Sequence, residues 1–158
     1  MQGTTFSGLI ELTKHYFEHT VEGPKFIVEG FASTTDLDLN HHVITEGALK
    51  DAAPDLLKYS TVLLNHDKTK PIGKVLQAEV RGNRLWIKVL VSNTEPDIQG
   101  KIKDGTLSKF SIAGRIEDFK RQFSDELQKE ILVIKKMALF EVSLVSTPAN
   151  ANAKALAW

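Results

Sequence analysis

From Ile131 to Val145 apolar residues fall on both parities of a strand. That pattern suits a strand covered on both faces, as in a closed barrel with helices packed outside it. Glu141 interrupts the run, and a charge in such a strand is costly unless a partner holds it. The run stops in the turn Ser146-Thr147-Pro148-Ala149-Asn150. The strand therefore fixes two expectations: a β-rich domain, and a polar partner for one carboxylate.

The rest of the chain fits a β-rich reading, α+β by count, with a few short helices. Lys25 to Ser33 and Ser60 to His66 read as strands. Pro71 to Val80 and Arg84 to Val91 read as a hairpin turned at Arg81-Gly82-Asn83. Leu107 to Phe119 and Lys129 to Val145 read as two long strands joined near Ser124-Asp125. Thr45 caps a short helix over Ala48, Leu49, Ala52 and Ala53 that Pro54 breaks. Thr94 is expected to cap a second helix, with Gly105 at its end. Residues 1 to 24 lack a clear pattern and are expected to form a mobile N-terminal segment. Residues 25 to 150 are expected to form the barrel domain, and residues 151 to 158 an alanine-rich tail.

Composition narrows the function classes. The 158 residues suggest one domain with a real core. Lys plus Arg and Asp plus Glu each total 20, so no basic excess points to nucleic acid. No apolar run approaches the ~20 residues of a membrane helix, and no signal peptide is evident. Without cysteine there are no disulfides, thiolate nucleophiles or cysteine metal sites. That fits a cytoplasmic setting.

Three segments could carry chemistry together. In Phe110-Ser111-Ile112-Ala113-Gly114, Phe110 and Ile112 share one face while Ser111 shares the other with Ala113 and Arg115. That alternation puts Ser111 on the face nearer solvent, where small neighbours admit a peptide backbone. His66 ends a strand on the parity of Val62 and Leu64. A serine hydroxyl needs a base, and free histidine, at ~6.5, titrates close to working pH. Glu141, on the parity of Met137 and Leu139, could fix that histidine's tautomer. On pattern alone each residue also has a plain reading: an outer-face serine, a loop histidine, an edge glutamate. His15, His19, His41 and His42 compete as bases, each in a more polar segment. Asp36, Asp38, His41 and His42 offer metal-ligand chemistry at a spacing that matches no specific motif, so a metal-dependent hydrolase stands as an alternative.

With these segments in hand, the chain resembles the prohead maturation proteases of tailed bacteriophages, a family related in fold to the herpesvirus assemblins. Four blocks carry the resemblance. They are Gly30-Phe31-Ala32-Ser33 with the acidic loop and Ile44 to Leu49 behind it; Leu64-Asn65-His66-Asp67 with Pro71-Ile72-Gly73-Lys74-Val75; Ser111-Ile112 with a glycine close behind; and Phe140 to Val145 with Ser146-Thr147-Pro148-Ala149-Asn150. In family order, they span Lys25 to Ala153. Ala113 departs from the family's Ser-Ile-Gly or Ser-Phe-Gly.

The resemblance implies a herpesvirus-protease-like closed β-barrel. It makes Ser111 the nucleophile, His66 the general base and Glu141 the acidic third member, in an order unlike other serine hydrolases. Oxyanion or substrate contacts would come from Arg115 or from the loop amides of Ser146, Thr147 and Ala149. It implies no cofactor. The substrates would be phage capsid and scaffold segments, and the enzyme itself, inside an immature head in the host cytoplasm. A homodimer stays open; nucleic acid and membrane are not expected partners. The rival within the same fold is a non-catalytic capsid-assembly or scaffold-binding module.

Overall fold

The computed structural model describes residues 4–33 and 42–146. In chain order the elements are β1 (Thr4–Thr20), β2 (Gly23–Ser33), β3 (His42–Ile44), α1 (Glu46–Ala52), α2 (Asp55–Lys58), β4 (Thr61–Leu64), β5 (Asp67–Arg81), β6 (Arg84–Val91), α3 (Pro96–Lys103), β7 (Lys109–Ser124) and β8 (Lys129–Val145). The domain is β-rich with short helices. The pairings run from β8 through β4, β5, β6, β2, β1 and β7 and return to β8. β3 adds in parallel on β8, on the same strand as the parallel partner β4.

The core-facing residues of the main strands form a single apolar cluster. In β6 they are Leu85, Ile87, Val89 and Val91, all buried, and in β7 Phe110, Ile112 and Ile116. Each such side chain contributes roughly 1.5–3 kcal/mol by leaving water. The β5–β6 hairpin turns at Gly82, whose φ of 69° a glycine adopts without strain. In α1, the Thr45 hydroxyl accepts from the Ala48 N–H at 3.1 Å, while Ala48, Leu49 and Ala52 face the core. Thr94 does not cap α3. Its hydroxyl pairs with that of Ser92 at 2.8 Å, and the helix begins at Pro96, which suits a first-turn position.

The N-terminal segment differs from its expected place outside the barrel domain. β1 pairs with β2 along one edge and with β7 along the other. Ile10 is fully buried in the core, and the glycine of Gly30-Phe31 exists to admit it. A Cβ on Gly30 would lie 2.7 Å from Ile10 Cγ2 and 2.8 Å from the Glu11 carbonyl. The period-two pattern of β1 is hidden by a bulge at Thr13, where the register shifts between Leu12 and Lys14. Ile10 and Leu12 face the core before the bulge. After it, His15 and Phe17 take that side and pack on Phe26, with ring centroids 5.9 and 5.2 Å away. On the opposite side Glu29 is buried and accepts from the Tyr16 hydroxyl at 2.6 Å and from Trp86 Nε1 at 2.9 Å.

Bulges also explain why β8 is apolar on both parities. Its core residues are Leu132 and Ile134, then Met137 and Leu139, then Val142 and Leu144. The register slips at Lys135 and again at Phe140, and each slip transfers the core face to the other parity. The strand is thus not covered on both faces throughout, as the apolar run suggested: Lys135, Lys136 and Phe140 are exposed.

Candidate active site

β8 is the central support of the site. Ser143 on β8 lies beside Leu63 of β4 on one edge and opposite Ser111 of β7 on the other. Glu141 lies opposite Ala113. Ser111, Ala113, Glu141 and Ser143 therefore share one face, the face turned away from Ile112, Val142 and Leu144. The bulge at Phe140 brings Glu141 there. By simple alternation from Met137 and Leu139 the carboxylate would point into the core. The extra residue turns it out, a common use of bulges beside active sites.

His66 arrives from β4. The sequence reading placed it at a strand end, ahead of a polar loop. Instead β4 ends at Leu64, which pairs with Asp67, so Asn65 and His66 form a two-residue hairpin turn. Both are left-handed, with φ of 50° and 61°. Such a turn requires positive φ at both central positions, and asparagine accepts this well. Histidine tolerates it at a cost on the order of 1–3 kcal/mol, and strain of this kind clusters at functional sites. Asp67 then closes a local turn by accepting from the hydroxyl and N–H of Thr69 at 2.6 and 2.8 Å, contacts that hold its carboxyl below the usual range.

The turn sets the imidazole against Glu141. His66 Nδ1 is hydrogen-bonded to Glu141 Oε2, and Ser143 Oγ donates to the same oxygen at 3.5 Å. The His66 and Glu141 side chains are 33% and 17% exposed, so the contact is shielded without being sealed. A carboxylate at Nδ1 selects the tautomer with its proton there and leaves Nε2 as an acceptor. Among the described residues, His66 Nε2 and Ser111 Oγ are the buried side-chain polar atoms without a hydrogen-bond partner. One is an acceptor and the other a donor.

Ser111 differs from expectation in one respect. It is fully buried rather than on a solvent-facing strand surface. β7 is flanked on both edges, with Leu9 and Ser143 as the cross-strand neighbours of Ser111. Arg115 lies further along the same face, half-exposed, with its guanidinium 3.7 Å from Glu117 Oε2. The donors of Ser146 are both engaged by Asn65 Oδ1, its N–H at 2.9 Å and its hydroxyl at 3.2 Å. Thr147 and Ala149 lie outside the described residues, as do Asp36, Asp38 and His41. Among the described residues no three His, Asp or Glu side chains gather as a metal site. No described helix is long and apolar enough to cross a membrane.

Sequence reasoning gave no role to two residues that the fold brings to this site, Asn65 and Ser143. Asn-His is not one of the usual two-residue hairpin signals and is hidden between strand-like residues, whereas Ser143 shares the parity of Glu141 and could have been read from the chain.

Residues 16–157 match the family described as Caudovirus prohead serine protease. The prohead protease of Escherichia phage T5 is 35% identical over 126 residues, which cover 78% of this chain and 58% of that protein. This chain thus spans just over half the length of that curated relative. The fold is similar to that of the bacteriophage T4 capsid assembly protease, with a TM-score of 0.70 and 13% identity over 92% of this chain and 99% of that one. By the extent of the family match, the chain belongs to the Caudovirus prohead serine protease family.

Proposed function

We propose that this chain is a serine endopeptidase of phage head maturation. Ser111 is the nucleophile, His66 the general base and Glu141 the residue that orients it. The observation that carries the reading is the His66–Glu141 hydrogen bond, with Nε2 left unpaired beside the strand pair that holds an equally unpaired Ser111 hydroxyl. In this mechanism His66 Nε2 takes the Ser111 proton as Oγ attacks the scissile carbonyl. The imidazolium then protonates the leaving amine, and Glu141 stabilises that charge. Water, deprotonated by the same nitrogen, attacks the acyl-enzyme and releases Ser111.

The substrates are capsid and scaffold segments inside the immature head, a reading supported by the names of the T5 and T4 proteins. Self-cleavage belongs to the same proposal. Thr4 to Thr20 is not its expected site, because it is paired with β7 up to Glu11 and with β2 from Glu11 on, and a paired strand cannot thread an active site. The cyclic strand pairing supports a closed, herpesvirus-protease-like barrel that includes β1. For the oxyanion, the Ser146 N–H is already committed to Asn65. Thr147, Ala149 and Arg115 remain the proposed donors.

A serine-directed fluorophosphonate followed by peptide mapping tests the reading. The label should fall on Ser111 and vanish in His66→Ala. A chain that binds scaffold but takes no label is a non-catalytic assembly module. Cleavage that stops in excess chelator belongs to a metal-dependent hydrolase.

A further inference from the structure

Asn65 makes more contacts than its turn requires. A two-residue turn with both φ positive needs a residue that tolerates the left-handed region, and glycine would serve. It does not need a side-chain acceptor. Yet Asn65 Oδ1 takes the N–H of Ser146 at 2.9 Å and its hydroxyl at 3.2 Å, while the Asn65 N–H donates to the Leu144 carbonyl at 2.9 Å. His66, the next residue, holds Glu141. The turn is therefore fastened to β8 and the residue after it at three places: through the imidazole at Glu141, through the Asn65 N–H at Leu144, and through the Asn65 side-chain amide at Ser146. The parallel pairs Val62–Val142, Leu63–Ser143 and Leu64–Leu144 lie alongside.

Without the side-chain amide the turn would be held by the imidazole and by a single backbone hydrogen bond, about which it could still tilt. The tie from Asn65 Oδ1 to Ser146 removes that freedom, and it does so from the residue adjoining the base. We propose that Asn65 is a positioning residue for the reaction, holding the His66 imidazole in place by binding Ser146. The inference rests on the reading of His66 as the general base. Losing the amide oxygen should let the imidazole drift. A misplacement of about 1 Å near the chemistry can cost on the order of 10²-fold in rate.

Three substitutions in the full chain test this. Asn65→Gly keeps the left-handed turn and removes the acceptor. Asn65→Asp keeps both. Ser146→Ala removes one of the two donors and leaves the backbone alone. The readouts are Tm, kcat and KM on a scaffold-derived peptide, and the NMR signal of the His66 Nδ1 proton. Asn65→Gly should unfold near the parent temperature and lose kcat on the order of 10²-fold, with KM little changed and the Nδ1 proton signal broadened. Asn65→Asp should recover most of the rate and the signal, and Ser146→Ala should show a smaller loss in the same direction. Parental kcat and an intact signal in Asn65→Gly would overturn the proposal, as would an Asp variant no better than Gly. If the parent chain cleaves nothing, the protease reading fails. The Nδ1 signal across the same variants still decides whether Asn65 holds the imidazole.

Discussion

Asp55 accepts a hydrogen bond from the Leu139 N–H at 3.1 Å, one residue before the bulge that turns Glu141 out of the core. Asp55 is the first residue of α2, so a helix outside the sheet fixes the stretch of β8 where the parity changes. Among the described residues β8 has no strand partner on that edge between its pairing with β3, which ends at Ile134, and its pairing with β4, which begins at Val142. Asp55 fills part of the gap.

Asp55→Ala should therefore leave the Leu139 N–H unpaired, at a cost of about 1–3 kcal/mol. Activity should fall as well, because the position of Glu141 depends on the bulge. Asp55→Asn retains an acceptor and should cost less on both counts. Urea unfolding and cleavage rates of the two variants check this; equal stability of Asp55→Ala and the parent would contradict it.

With His66 as the proposed general base, cleavage should rise from acid towards neutral pH, because a base accepts the Ser111 proton only while its Nε2 is free. In Glu141→Gln the amide can donate to Nδ1 and favour the wrong tautomer. The loss should reach up to about 10⁴-fold, less than for removal of Ser111. Rate profiles of both proteins from pH 5 to pH 9 test the two roles together.

Stability should depend on pH through Tyr16 and Glu29. Burial pushes the Glu29 carboxyl up, but the hydrogen bonds from Tyr16 and Trp86 and the Lys14 charge together outweigh it and hold it below its ordinary value. Its contribution is present above the unfolded carboxyl range and is lost as pH falls through the folded value. The hydrogen bond to Glu29, with burial, raises Tyr16 from 10.0 to about 12. That contribution is complete below pH 10 and disappears as pH rises towards about 12. Tyr16→Phe should remove the alkaline dependence and weaken the acid one. Urea midpoints of parent and variant across both ranges measure it.

Much of the fold was legible in the chain, and the parts that were not share a cause. Local signals placed α1 at Thr45 and the β5–β6 hairpin with its turn at Arg81-Gly82-Asn83. β1 was missed because the bulge at Thr13 shifts the core-side parity from Ile10 and Leu12 to His15 and Phe17, which are exposed and rest on Phe26. A period-two search cannot see a strand whose period resets. The same effect made β8 look apolar on both faces and put Glu141 on the wrong one. His66, Ser111 and Glu141 stood out by residue type, whereas the turn formed by Asn65 and His66 was masked by strand-like residues on either side. The Asn65–Ser146 contact joins positions 81 apart and has no local signature. Ser111 is buried while Arg115, on the same strand and face, is exposed, a difference that strand alternation alone does not reveal.

The most direct test of the central claim is the cleavage of a scaffold or capsid substrate by Ser111→Ala. The Ser111 hydroxyl is buried without a partner, and leaving such a group unpaired is costly to the fold. Its removal should therefore leave Tm unchanged or slightly higher. Turnover should nonetheless fall by up to on the order of 10⁶-fold. A folded Ser111→Ala protein that cleaves at a rate close to the parent would contradict the account.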